Sequence, residues 1–259
     1  VVEAVLGYRT SRAVVKYIFS ADGTLDVQLR LQWNEKQKMA RLYLPAAFNV
    51  RECVGEQAYG AEPMPCDMKE GVAQRYHVLC GTDAAVAVAN NGTYGAAFDG
   101  AADTLHITLL RSPSYCAHPI PNRKVMPQDR YMPYIEQGER DFAFRITAGT
   151  ADTVRREAPR TAQHFNMPPM ALSFYPEGAG EKPAAPLRLT DTDTVQWTAL
   201  KQAEDRNGWV IRLFNPTEKE QTATLQWGDT VKPLAFGKYE IKTVRVTGGV
   251  MTETDLTET

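Results

Sequence analysis

Apolar and polar side chains alternate through most of this chain. In TLDVQLRLQW, Leu25, Val27, Leu29, Leu31 and Trp33 alternate with Asp26, Gln28, Arg30 and Gln32. That period of two predicts a strand with one face buried. The AVVKYIFS run before it stops at Asp22-Gly23, so the two runs form a hairpin. KMARLYLP predicts another strand, closed by Pro45. AAVAVA, NNGT and YGAAF make a second hairpin, and Asp99-Gly100 turns the chain into the strand that starts at Leu105. DFAFRIT follows a proline-rich loop from Pro113 to Pro133. Helix is scarce: Thr150 to Gln163 offers room for a turn or two.

Composition shifts at YPEGAGEKPAAP, Tyr175 to Pro186, where Gly, Pro and Ala dominate. Beyond it, TVQWTAL, GWVIRLFN, QTATLQW and YEIKTVRV are four short strands separated by turn signals, the spacing of a small β-sandwich. The reading is an all-β chain with a first domain over residues 1–175 that can lack its N-terminal strands, a linker over 176–186 and a second domain over 187–259. The polar tail TGGVMTETDLTET is expected to fray.

At 259 residues there is ample material for a core, in one large all-β domain or two smaller ones. The formal net charge of -2, with no Lys/Arg cluster beyond pairs, disfavours a polyanion partner, and no nucleic acid is expected. No apolar run approaches the ~20 residues that span a bilayer, so no membrane role is expected. The chain opens VVEAVLGYRT, strand-like from the start and without an initiator Met, which reads as a piece of a longer polypeptide. Cys53, Cys66, Cys80 and Cys116 contain no C-x-x-C, which argues against a zinc ribbon or redox motif and for free thiols in a reducing cytoplasm. Asn91-Gly-Thr has the form of a glycosylation acceptor, but Asn-Gly is also a strong hairpin signal and is read as the turn.

Candidate chemistry is sparse. There is no H-E-x-x-H, G-x-S-x-G, P-loop or dinucleotide fingerprint. His77, His106, His118 and His164 are scattered singly, and Cys116 with His118 gives two metal-ligand types where a catalytic zinc needs about three. His106 alternates with Leu105 and Ile107 and is expected on the outward surface of its strand. Cys116 as a nucleophile lacks an identifiable base. The segment DRYMPYIEQGERDF mixes Asp129, Glu136, Glu139 and Asp141 with Tyr131 and Tyr134. Such a mixture suits a sugar, whose ring faces stack and whose hydroxyls hydrogen-bond; the alternative is a solvated loop pinned by its tyrosines. Trp33, Trp197, Trp209 and Trp227 all lie in alternating strands and are expected in core or inter-domain packing.

Several segments resemble, in order, the C-terminal half of glycoside hydrolase family 38, the α-mannosidases. LQWNEKQKMARLYLP resembles its W-x-E-K-x-K-x-L-K-L-x-x-P signature, VAQRYHVL its p-a-Q-R-W stretch, and VANNGTYGAAFD its N-x-x-Y-G hairpin. LHITLLRSPSY is similar to its L-T-L-L-R-S-P strand and loop, and EQGERDFAF to D-Q-G-x-H-x-F-x-Y. ALKQAEDRNGWVIRLFNP and KYEIKTVRV match its A-L-K-x-x-E-D segment and closing E-I-K-T strand. The resemblance runs from Trp33 to Val246. Departures at Tyr76, where the family often has Trp, and Arg140, where it often has His, bear on substrate preference.

The resemblance implies a galactose-mutarotase-like supersandwich followed by an immunoglobulin-like sandwich. It implies no catalytic residue and no metal site in this chain, since zinc, nucleophile and acid/base carboxylate belong to an N-terminal catalytic domain. The expected role is the non-catalytic C-terminal portion of a retaining, bacterial-type, cytoplasmic α-mannosidase, in a parent that can be a homo-oligomer. Its expected partners are that catalytic domain, met through an apolar patch, and the α-mannoside at the cleft rim. Rim contacts are expected from Arg111, Tyr115, Gln137, Gly138 and Glu139. Arg111 has an alternative role, holding a carboxylate bidentately to fix its loop. Two rivals stand beside this reading: a stand-alone carbohydrate-binding module with an exposed aromatic strip, and a mutarotase-like epimerase using His106 or His118 with Glu139.

Overall fold

The computed structural model describes residues 1–114, 133–172 and 186–258. Strands β1 (Val2–Tyr8), β2 (Ser11–Phe19), β3 (Leu25–Trp33), β4 (Met39–Pro45), β5 (Glu52–Gln57) and β6 (Gly60–Pro63) come first. They are followed by β7 (Asp67–Val72), β8 (Tyr76–Cys80), β9 (Ala84–Asn90), β10 (Gly95–Asp99), β11 (Thr104–Arg111) and β12 (Gly138–Thr150). Helix α1 (Ala151–Asn166) closes this part. The chain divides into two units, Val1–Gln57 with Glu62–Asn166, and Ala58–Ala61 with Met167–Thr259.

In the first unit, β3 follows its alternation: Val27, Leu29, Leu31 and Trp33 are buried, while Gln28, Arg30 and Gln32 are exposed. An eight-stranded sheet runs β1-β2-β3-β12-β9-β8-β5-β6, and a four-stranded sheet runs β4-β11-β10-β7. Val15, Leu29, Leu79, Val88 and Phe144 of the large sheet meet Ala96, Phe98, Leu105 and Ile107 of the small one in the main core. The other face of the large sheet is covered by α1, whose Val154, Ala158 and Ala162 pack on Tyr76, Val78, Ala85 and Ala87. Strand β8 is therefore buried at every position, which removes the alternation a one-sided strand would show.

Helix α1 is longer than the turn or two its sequence suggests. It continues through Pro159, a residue that normally breaks a helix interior. Burial of one face holds it, and Thr150 caps its start, accepting from the Thr153 amide at 3.4 Å.

The second unit carries β13 (Leu187–Thr190), β14 (Gln196–Gln202), β15 (Trp209–Phe214), β16 (Gln221–Trp227), β17 (Thr230–Phe236), β18 (Ile241–Thr247) and β19 (Val250–Thr254). A β13-β16-β17 sheet and a β14-β15-β18-β19 sheet enclose Ile211, Leu213, Leu225, Leu234, Phe236 and Val244. Among the described residues seven strands replace the four expected. β13 has four residues and β17 contains Pro233, tolerated because β17 is an edge strand.

The tail does not fray as expected. β18 and β19 pair from Thr243–Thr254 to Thr247–Val250. The Glu258 carboxylate then accepts the Glu204 amide at 3.0 Å and meets Lys201 at 2.6 Å. Deleting residues 255–259 is expected to lower the melting temperature by about 5 °C, read by calorimetry. An unchanged melting temperature would mean that these contacts are dispensable. Trp209 also departs from expectation: it is 46 % exposed and lies against Trp227 with centroids 6.2 Å apart.

Candidate functional site

Three of the segments singled out in the sequence end in one place. Strand β3 delivers Trp33 and the loop Asn34–Lys38; β11 delivers Arg111 and Ser112; Tyr134 to Gln137 leads into β12. Ser112, fully buried, ties the first two. Its amide donates to the Lys38 carbonyl at 2.9 Å, and its carbonyl accepts from the Gln37 amide at 2.7 Å. Its hydroxyl accepts from the Trp33 indole at 3.0 Å and lies 2.7 Å from the Glu35 carbonyl oxygen. Gln137 brings in the third segment, its side-chain amide donating to that same carbonyl at 2.6 Å.

Glu35 is 6 % exposed, and its Oε1 accepts from the Thr10 amide and hydroxyl at 3.3 and 3.2 Å and from the Ser11 hydroxyl at 3.2 Å. A carboxylate buried this deeply needs such donors, because stripping its water is costly. Tyr134 is pinned too, with the Lys36 ammonium 5.2 Å over its ring. At this tyrosine the pinned-loop reading holds.

Beside this knot opens a groove of about 1010 Å³, whose walls include Lys38, Glu70, Tyr94, Thr108, Arg111 and Glu136. Glu70 is fixed from both sides, accepting from the Thr108 hydroxyl at 2.6 Å and the Arg41 guanidinium at 3.0 Å. The Thr108 hydroxyl, with the Arg41 and Arg111 charges, holds its carboxyl below the ordinary range, so it is ionised at neutral pH. Tyr94 is 56 % exposed at the turn that carries the chain from β9 in the large sheet to β10 in the small one. These two strands do not pair, so the expected second hairpin is a crossover between sheets. The groove therefore offers cations, carboxylates and an aromatic face together, the donors, acceptors and stacking surface that a polyhydroxylated ligand uses.

Arg111 lines this groove and forms no ion pair among the described residues. Its backbone N–H donates to Glu136 Oε2 at 3.4 Å. The described ends of the loop are held by Ser112 and Gln137, and no bidentate pair of Arg111 with a carboxylate occurs among the described residues. Tyr115 lies outside the described residues. Gln137 is committed to the Glu35 carbonyl. Gly138 has φ of +102° with nothing within 4 Å of where a Cβ would stand, so it serves the backbone turn into β12 and not a close approach. Glu139 sits on β12 beside Arg30, 3.6 Å away, and Arg30 in turn pairs with Asp141 at 2.9 Å. These are exposed pairs on the large sheet, outside the groove lining. Of the five expected rim residues, the structure brings Arg111 to the groove and Gln137 to its foundation.

The groove residues that the sequence reading did not single out are Glu70, Thr108, Lys38 and Tyr94. Tyr94 belongs to the NNGTYG turn, whose form was a usable signal. Glu70 lies in a strand without alternation and gave none.

His106 corrects another expectation. It faces outward from β11 but is only 7 % exposed, because the Tyr43 ring covers it at 4.4 Å. Burial first and the Arg41 charge second push its pKa down. It stands on the small sheet and Glu139 on the large one, so the structure does not unite them as an acid/base pair. Cys116 and His118 fall outside the described residues. Among the described residues, no three His, Cys, Asp or Glu side chains come together to hold a metal. Cys53 and Cys66 are free thiols, buried and exposed respectively, and the buried Cys80 sulfur accepts from Arg155 Nε at 2.9 Å. Burial pushes the Cys53 thiol up to about 12, which leaves it inert.

Comparison with known proteins gives two family matches. The model described as the glycosyl hydrolases family 38 C-terminal domain matches residues 4–128, and that described as the family 38 C-terminal beta sandwich domain matches residues 194–259. No curated protein matches the chain. Among solved structures, a protein in glycosyl hydrolase family 38 from Enterococcus faecalis is similar with a TM-score of 0.72 at 18% identity, over 91% of this chain and 29% of its own. An alpha-mannosidase from Enterococcus faecalis V583 gives a TM-score of 0.70 at 17% identity, over 91% of this chain and 28% of its own. The chain spans less than a third of either neighbour, and at such identities the likeness is one of fold.

Proposed function

The chain belongs to glycosyl hydrolase family 38, as a C-terminal region of it, and from that premise we propose that it is the non-catalytic part of a retaining α-mannosidase. In this reading the groove beside Arg111 forms one wall of the cleft in which a terminal α-mannoside is hydrolysed. Its partners are the parent's catalytic domain and the substrate's outer hydroxyls. The parent is cytoplasmic, of bacterial type.

One observation carries the reading: a guanidinium without an ion-pair partner among the described residues, standing on a buried knot built from the three segments that resemble the family. The knot fixes the backbone of this arginine, and its exposed guanidinium offers a planar fork of donors to a ligand oxygen. The described residues do not fit a zinc site, and the metal and reacting carboxylates belong to the catalytic domain. This chain's share is to position and to exclude water.

The test is aryl α-mannoside hydrolysis by this chain alone and by the parent polypeptide. Turnover is expected from the parent and none from the chain; turnover by the chain alone would place the chemistry here and sink the reading. In the parent, Arg111→Ala is expected to lower kcat/KM about tenfold, with no loss of melting temperature. An unchanged kcat/KM would remove Arg111 from the cleft wall.

A further inference from the structure

The two sheets of the first unit do not match in width. β4 is the edge strand of the small sheet and lies over β2 and β3, where its Ala40 packs with Leu31 and Trp33. The large sheet continues past it to β1. Register places Val2 opposite Tyr17, Ala4 opposite Val15 and Leu6 opposite Ala13. Directly paired residues share a face, so Val2, Leu6 and Tyr8 point to the side on which Val15 joins the core. Phe19, two residues beyond Tyr17, shares that side. Yet Val2 is 56 % exposed, Leu6 55 %, Tyr8 50 % and Phe19 65 %. These side chains carry the patterning of a core without an apolar cover, though Arg9 and Lys38 stand over the Tyr8 ring at 5.5 and 6.0 Å. At the same margin, Leu42 and Leu44 of β4 are only half-buried, and among the described residues no strand pairs with the outer edge of β4.

An open edge and a bare apolar strip side by side are the two halves of one strand-binding site. We infer that the small sheet is completed by a further strand, which pairs with the free edge of β4 and lays alternate apolar side chains on Val2, Leu6, Tyr8 and Phe19. The strand comes from the parent polypeptide outside this chain. More than two thirds of each Enterococcus faecalis neighbour lies beyond the part this chain covers, so ample polypeptide exists to supply it. A second copy of this chain fits less well: pairing edge to edge through β1 would widen the large sheet and leave the same four side chains bare. The inference rests on the reading of this chain as part of a longer glycosidase.

Hydrogen exchange in the chain alone and in the full parent tests it. Amides of β4 from Ala40 to Leu44 are expected to exchange at least roughly tenfold more slowly in the parent. The double variant Leu6→Glu/Phe19→Glu should restore fast exchange there. Both residues are exposed in this chain, so the variant should fold, and Val231→Glu in the second unit serves as a control without effect. Equal β4 exchange in both contexts, in a parent that hydrolyses α-mannosides, would overturn this inference and leave the functional reading intact. Equal exchange in a parent without that activity would overturn both. Self-association of the chain alone, abolished by the double variant, would assign the strip to a second copy and overturn the inference as well.

Discussion

Arg75→Met is expected to destabilise the first unit by about 3 kcal/mol, toward the low end of what breaking a buried ion pair costs. Glu56 is 5 % exposed, and both of its oxygens face the Arg75 guanidinium, with Nε at 3.1 and 3.0 Å. The Arg75 amide adds a bond to Glu56 at 2.8 Å. Methionine would keep that amide and much of the packing but leave a carboxylate buried without its cation. The double variant Arg75→Met/Glu56→Leu should recover most of the loss, since replacing both members of a buried pair by apolar groups is often neutral. Urea unfolding of the two variants decides the matter. A single variant within about 0.5 kcal/mol of the parent sequence, the usual range for surface changes, would show that Glu56 rehydrates and the pair is ornamental.

The pair also bears on the groove. The Arg75 carbonyl accepts from the Asn90 amide at 2.9 Å, and the Asn90 side chain donates to the Gln74 carbonyl at 3.2 Å. Asn90 Oδ1 then accepts from the Gly92 and Thr93 amides, both at 2.9 Å, which shapes the turn that presents Tyr94. Loosening Arg75 should therefore loosen one wall of the groove. Two motif-bearing segments, QRY and NNGTYG, are a support and the element it supports.

That connection marks the boundary of what the sequence discloses. Alternation set the faces of β3 and of the start of β11, and Asp22-Gly23 and Asp99-Gly100 set hairpins, because these are local rules that each segment satisfies by itself. Asn91-Gly92 made a turn, but its flanking strands β9 and β10 joined different sheets, which no local rule decides. The meeting of Trp33, Ser112 and Gln137 spans about a hundred residues and rests on one hydroxyl and one side-chain amide, for which no spacing gives warning. The order of the motifs was legible; their convergence was not. Strand β8 concealed its role because α1 covers its second face, and α1 concealed its length behind Pro159. His106 was placed on the correct side of its strand, but only the neighbouring strand's Tyr43 decides whether that side is wet.

His77 is the residue whose consequences extend furthest from its own position. It is fully buried on β8, and neither ring nitrogen has a hydrogen-bond partner. Burial alone pushes its pKa down to about 4, from an ordinary 6.5. The folded state thus holds the neutral ring, while the unfolded chain takes up a proton below the ordinary value. Stability from this group is fully present above about pH 6.5 and is lost progressively as pH falls toward 4. The difference amounts to about 3 kcal/mol. His77→Leu should remove this acid dependence at little cost at pH 7, because no hydrogen bond is broken. Urea midpoints for both proteins at pH 7, 5 and 4 give the comparison. Convergence of the two at pH 7 and divergence at pH 4 is the expected pattern. Parallel loss across the whole range would mean that the protonated ring finds a partner or water, and that the first unit's acid sensitivity lies in its carboxylates.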